Sequence, residues 1–150
     1  MTKVLKYDRS LERGEASEVR LLASEGPSGD ALASALARLP SQSINGRPLI
    51  VVKSRFDSPA AIASALKGNG VSYIILTDSM PELSVRQALR ACESERVPCI
   101  ALGEERVRAG AAFGVDYKNS KARIFVNYRA SQNQGANLAA DVLRLAVRVD

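Results

Sequence analysis

Ser28 and Ser79 both fall at the ends of candidate strands, where a nucleophile would be exposed to a substrate. Activating a serine takes a general base, and this chain of 150 residues contains no histidine. Gly26-Pro27-Ser28-Gly29 also follows a strand and opens a helix, the place where a phosphate-cradling loop would sit. Its spacing matches neither the dinucleotide fingerprint nor the P-loop, and Pro27 removes a backbone donor, so it reads as an ordinary turn. Asp8, Asp57 and Asp78 form no recognisable pair in sequence, although folding could bring Asp57 and Asp78 to one sheet edge. Their default reading is as surface carboxylates and helix caps, with Asp78 capping the helix that Pro81 begins. With no histidine and two cysteines, a metal centre lacks ligands. The residues therefore point to no catalytic set, no cofactor and no metal.

Cys92 lies late in a candidate helix and Cys99 in the strand that follows. A bridge needs Cα atoms within about 7 Å, and a helix packed roughly 10 Å above its sheet meets that only near the connecting turn. The pair is thus read as two buried thiols, with a Cys92–Cys99 disulfide left open.

The elements that would position these residues alternate in type. Leu5 to Leu11 is a short helix candidate ending near Gly14, and Val19 to Ala23 reads as a strand. Asp30 to Leu39 is an Ala-rich helix. Ile44-Asn45-Gly46-Arg47-Pro48 is a turn, followed by a strand from Leu49 to Lys53. Ser58 and Pro59 start a helix as N-cap and first residue, and Gly68-Asn69-Gly70 stops it. Val71 to Leu76 is almost wholly apolar, the pattern of a strand covered on both faces. Pro81 to Glu95 places Leu83, Ala88, Leu89 and Cys92 at helical spacing. Val97 to Leu102 is another buried strand, and Glu104 to Arg108 a single helical turn.

After Gly110 come two short runs, Val115 to Tyr117 and Ala122 to Val126, separated by Lys118-Asn119-Ser120-Lys121, which reads as a hairpin loop. Leu138, Val142, Leu145 and Val149 recur at helical spacing and predict one long terminal helix. The expectation is an α/β three-layer sandwich: a mainly parallel sheet, helices on both faces, an antiparallel C-terminal hairpin at the edge and then that long helix. Residues 1–150 are taken as one domain.

Composition sets limits on partners. Apolar residues make up 46% and charged residues 25%, ordinary for a globular chain, and the longest apolar runs are too short to span a bilayer. The net charge of +5 comes from 21 Lys and Arg interleaved with 16 acids, without a basic run. Four Tyr, three Phe and no Trp provide no aromatic–basic platform, which argues against nucleic acid. Met1-Thr2-Lys3-Val4-Leu5-Lys6 lacks the apolar core of a secretory signal. Either the protein is cytoplasmic, or the chain begins after a removed leader.

Three resemblances bear on function. Tyr73-Ile74-Ile75-Leu76-Thr77-Asp78 resembles the phosphoacceptor strand of response-regulator receiver domains, and Val97-Pro98-Cys99-Ile100-Ala101-Leu102 the strand that follows it. The first strand, however, ends Ala23-Ser24-Glu25 without the acidic pair, and Gly103 stands where a hydroxyl residue is expected. Val107 to Tyr117 is similar to the second lobe of a family of ABC-transporter substrate-binding proteins, which close two lobes on a small ligand. This chain has length for one lobe, so such a cleft would need a dimer or a missing half.

The chain as a whole resembles the YfiR-like family of small periplasmic proteins. The likeness is carried by Gly110-Ala111-Ala112-Phe113, by Arg123-Ile124-Phe125-Val126-Asn127 and by Val142-Leu143-Arg144-Leu145-Ala146. Upstream it includes Ile44 to Val52, Asp57-Ser58-Pro59 and Lys6-Tyr7. The resemblance implies a non-enzymatic regulator that works in the periplasm after leader removal. It would contact the periplasmic region of a membrane protein, in the best-understood case a diguanylate cyclase whose cyclic-di-GMP output it lowers. It implies neither nucleic-acid binding nor direct membrane insertion, and is compatible with a homodimer. The family's redox switch rests on cysteines that Cys92 and Cys99 do not obviously match.

Overall fold

Strands whose every residue is apolar need cover on both sides, and Tyr73–Leu76 is buried at each position. In the computed structural model, which describes residues 1–9, 11, 16–119 and 121–149, this strand lies in the middle of an eight-stranded sheet. In chain order the strands are β1 (Val19–Ser24), β2 (Ser43–Ile44), β3 (Arg47–Ser54), β4 (Tyr73–Leu76), β5 (Cys99–Leu102), β6 (Phe113–Lys118), β7 (Lys121–Val126) and β8 (Val147–Arg148). The helices are α1 (Thr2–Leu5), α2 (Pro27–Ala37), α3 (Pro59–Asn69), α4 (Glu82–Glu95), α5 (Glu104–Arg108), α6 (Tyr128–Asn133) and α7 (Ala140–Leu145).

The sheet order is β2-β3-β1-β4-β5-β6-β7-β8. From β3 to β6 all pairings are parallel, while β2–β3 and β6–β7 are antiparallel hairpins. Alternation along each strand divides the core in two. Leu22, Ile74, Leu76 and Ala101 face α3, α4 and α5, through Ile62, Leu66, Val85, Ala88 and Val107. Leu21, Ala23, Tyr73, Ile75 and Ile100 face the opposite way, onto Val4, Leu5, Leu32, Leu36 and Val142 of α1, α2 and α7. The three-layer α/β architecture with a mostly parallel sheet is thus the one the periodicities predict. Ser58 caps α3 as expected, its Oγ accepting from the Ala61 N–H at 3.1 Å.

The C-terminus departs from expectation. The single long helix is instead two short ones and a strand. α6 ends at Gln134, and Gly135 takes a left-handed φ of 80°. Leu138 forms a β-bridge with Asp8, α7 is six residues long, and β8 runs parallel to β7. Val142 and Val149 are buried, but Leu145 is 77% exposed, so the apparent stripe spans two unrelated packing environments. Pairing with β7 wins over helix continuation because Val147 and Val149 are β-branched and the β7 edge offers open backbone partners. The hairpin is therefore not the sheet's edge; β8 lies outside it.

Smaller differences follow the same logic. The N-terminal helix covers Thr2–Leu5 and is interrupted at Asp8, which is drawn into the bridge with Leu138; Arg9 and Leu11 are again helical, and Gly14 lies outside the described residues. Lys118 and Lys121 pair with each other as strand residues instead of forming loop.

Candidate functional site

The chain winds from β1 outward to β3, then returns past β1 to β4, β5 and β6. The winding reverses between β1 and β4, and a crevice opens beyond the carboxyl ends of strands at such a point. Gly26-Pro27-Ser28-Gly29 lies there, but as the first turn of α2 and not as a separate turn. Gly26 is its N-cap with φ 105°, and Pro27 occupies the first helical position. Gly29 is buried hard against the end of β1, and a Cβ at this position would overlap the Ser24 carbonyl oxygen.

This close approach brings Ser28 over β4. Its Oγ hydrogen-bonds Ser79 Oγ, and Thr77 Oγ1 lies 3.5 Å from the latter. The three hydroxyls line one side of a depression of about 510 Å³ whose other walls are Ala31, Leu32, Ala35 and Leu102. The sequence singled out Ser28 and Ser79 separately; the fold joins them. Hydroxyls above an apolar floor can orient a bound group by hydrogen bonds, and Glu25 lines an adjoining depression with both serines.

A second depression, of about 620 Å³, adjoins the ends of β4, β5 and β6 and is lined by Asp78, Gly103, Glu104, Glu105, Arg106, Arg108 and Asp116. Asp78 does not cap the following helix: Pro81 is the N-cap of α4, which has no side-chain cap bond. Arg106 instead ties down the start of α4, with a guanidinium–carboxylate contact of 2.5 Å to Glu82 and a 3.2 Å bond to the Met80 carbonyl. Arg108 pairs with Glu104 at 2.6 Å. Gly103 has φ 116°, and a Cβ there would come 3.0 Å from Asp78 Oδ1, so the receiver-type hydroxyl would be strained here. Asp57 pairs with Arg55 at 3.5 Å and does not line the Asp78 depression. Among the described residues no group of three or more Cys, Asp or Glu is placed to hold a metal ion.

Asp8, read as a surface carboxylate, is completely buried. Tyr73 Oη donates to its Oδ2 at 2.9 Å, and the Asn137 N–H donates to its Oδ1 at 3.1 Å. Main-chain bonds from Arg9 N–H to the Asn137 carbonyl (2.8 Å) and from Ala139 N–H to the Tyr7 carbonyl (2.9 Å) close the junction. The N-terminal segment is thereby laced to the α6–α7 connection. Tyr73 was the clue available in the sequence: a phenol in a wholly buried strand needs a polar partner.

Cys92 and Cys99 are joined as a disulfide with Cα atoms 6.2 Å apart, not held as separate thiols. α4 ends at Arg96 in a left-handed conformation (φ 53°), and the chain enters β5 within three residues, close enough to the turn for the bridge to span. Gln134, fully buried, accepts from the Cys99 N–H at 2.8 Å and donates to the Gly110 carbonyl at 2.7 Å. Asn127 explains the strand-ending Val-Asn: its Oδ1 caps α6 through Ala130 N–H at 2.9 Å while its Nδ2 holds the Val107 carbonyl at 3.2 Å. Reduction should destabilise the protein by about 2 kcal/mol, the amount a short closed loop supplies. Melting with and without dithiothreitol checks this; a Cys92→Ala/Cys99→Ala double variant should not respond to reductant.

Comparison with known proteins places these features. The YfiR/HmsC-like family model matches residues 5–147. No curated protein matches. Among solved structures, a conserved domain protein of Vibrio cholerae superposes with a TM-score of 0.62 at 13% identity, covering 87% of this chain and 54% of that one. An ABC domain from Streptococcus pneumoniae in complex with L-Trp gives 0.69 at 14%, covering 99% and 60%. A ligand-free, open substrate-binding protein with adhesive properties from Clostridium difficile gives 0.61 at 11%, covering 99% and 59%. This chain therefore spans little more than half the length of those structures, and at such identities they share its fold alone. The family match, in contrast, takes in nearly every element described above, and the chain belongs to the YfiR/HmsC-like family.

Proposed function

We propose that this protein is a non-enzymatic regulatory domain that acts in the periplasm by binding the periplasmic region of a membrane protein. A membrane diguanylate cyclase is the partner class, and binding lowers its cyclic-di-GMP output. The observation that carries the reading is the family match across residues 5–147. The Cys92–Cys99 disulfide agrees with an oxidising compartment, and no described helix is long and apolar enough to cross a membrane. Residues 1–150 serve as one YfiR-like domain in this reading, and a homodimer is compatible with it.

Deleting the gene in its native host should raise cyclic-di-GMP, and supplying the protein with an export leader should lower it again. The same chain confined to the cytoplasm should not. A native product found in the cytoplasm, or unchanged cyclic-di-GMP after deletion, would sink the proposal.

A second reading is favoured by one observation, the hydroxyl-lined depression at the point where the sheet's winding reverses. In that reading the chain binds a small ligand as one lobe of a substrate-binding protein does, with a second copy supplying the other wall. A thermal midpoint that rises saturably with an added small ligand, and no longer does so in Ser79→Leu, would favour it over the partner-binding reading.

A further inference from the structure

The β6–β7 hairpin continues beyond the sheet that supports it. β5 pairs with β6 only from Phe113 to Val115, and β8 pairs with β7 only at Phe125 and Val126. From Asp116 to Lys118 and from Lys121 to Ile124 the two strands have each other and, among the described residues, no further strand. A two-stranded ribbon is marginal in water by itself. Here Tyr117 is 74% exposed, and Lys118, Lys121, Ala122 and Arg123 are all exposed.

The register makes the ribbon two-faced. Tyr117 lies opposite Ala122 and Val115 opposite Ile124, which gives one apolar side with an aromatic near the tip. Lys118 lies directly opposite Lys121, and Arg123 opposite Asp116, on the other side. Like charges directly across a strand pair are destabilising. Among the described residues, none of Lys118, Lys121 and Arg123 is ion-paired. The ribbon thus sets two lysines against each other at its tip, with Arg123 across from Asp116 on the same face and the exposed Tyr117 phenol on the opposite face.

We propose that this ribbon docks the protein tip-first onto an anionic phospholipid surface, with Lys118, Lys121 and Arg123 meeting headgroup phosphates from one face and Tyr117 resting at the level of the headgroups on the other. Long basic side chains reach the charged layer while an amphipathic ring occupies the interface, the pairing seen at membrane–water boundaries. Basic residues near such a surface contribute additively and are screened by salt. The contact is peripheral: no described helix could cross the bilayer. This inference is independent of which protein the domain regulates.

Co-sedimentation with vesicles of phosphatidylglycerol and phosphatidylcholine, against phosphatidylcholine alone, tests it. The intact protein should bind the anionic vesicles, more weakly as salt rises, and should not bind the neutral ones. The variant Lys118→Glu/Lys121→Glu/Arg123→Glu should lose at least tenfold in affinity, and Tyr117→Ala several-fold, on order-of-magnitude grounds. Arg38→Glu/Arg86→Glu/Arg90→Glu, the same change in charge at exposed positions elsewhere, should lose much less. Equal loss in the two triple variants would mean that overall charge is responsible and would overturn the assignment. Equal binding to neutral vesicles would overturn it too. So would failure to bind vesicles combined with capture of a poly-glutamate peptide, which would assign the ribbon to an acidic protein partner.

Discussion

Gly29→Ala should lower the thermal midpoint by roughly 10 °C, while Gly68→Ala, in another helix, should raise it slightly. The contrast is steric. A Cβ at Gly29 would overlap the Ser24 carbonyl oxygen, a backbone atom at the end of β1 that cannot rotate out of the way. The start of α2 must then lift from the sheet, which separates Ser28 from Ser79 and opens the depression their hydroxyls line. Overpacking of this kind costs about 3 kcal/mol, and each kcal/mol is worth about 2–4 °C in a domain of this size. At Gly68, in the last turn of α3, a Cβ meets nothing within 4 Å, so alanine adds about 0.5 kcal/mol through helix propensity. Calorimetric melts of both variants check the pair. A Gly29→Ala midpoint equal to that of the unsubstituted protein would mean that α2 is not held against β1 as described.

Asp8→Ala is expected to cost about 3 kcal/mol, because it removes from a fully buried position the acceptor used by both Tyr73 Oη and the Asn137 N–H. Tyr73→Phe should cost less, about 1–2 kcal/mol, since the ring still packs edge-on against Phe113 with centroids 6.2 Å apart. The damage should be local before it is global. Amide hydrogen exchange at Arg9 and Ala139, whose N–H groups bond across the junction, should accelerate in Asp8→Ala well before exchange at β4. Uniform acceleration across the chain would show that the N-terminal segment is no separate unit. Unaltered exchange at those two amides would remove the junction from the account of stability.

The legible and illegible parts of the molecule divide by the range of the interactions that fix them. Ser58-Pro59 announced α3 through a cap that bonds three residues along, and the apolar run at Tyr73–Leu76 announced a covered central strand. Leu138, Val142, Leu145 and Val149 misled because helical spacing records which residues are apolar, not what each packs against. Leu145 is exposed, and Val149 is buried with the face of the sheet that carries α3 to α5. The state of the cysteines was left open for a related reason. Their separation in sequence left both states open, and only the left-handed turn at Arg96 brings the Cα atoms to 6.2 Å.

What the sequence by itself determined is the α/β class, the order of its central elements, and the family likeness carried by Gly110–Phe113, the Val126-Asn127 strand end and the Gly46-Arg47-Pro48 strand start. Those features depend on periodicity, caps and turns, interactions that span a few residues and leave a local mark on composition. The tertiary structure alone decided that Ser28 meets Ser79, that Asp8 is sealed beneath Tyr73 and Asn137, that Gln134 braces Cys99, and that the hairpin tip projects with two lysines face to face. Each joins residues through a pairing register or a close approach between distant segments. Such contacts are set by how sheet and helices fit together, and a linear pattern of residue types does not encode the distance between them.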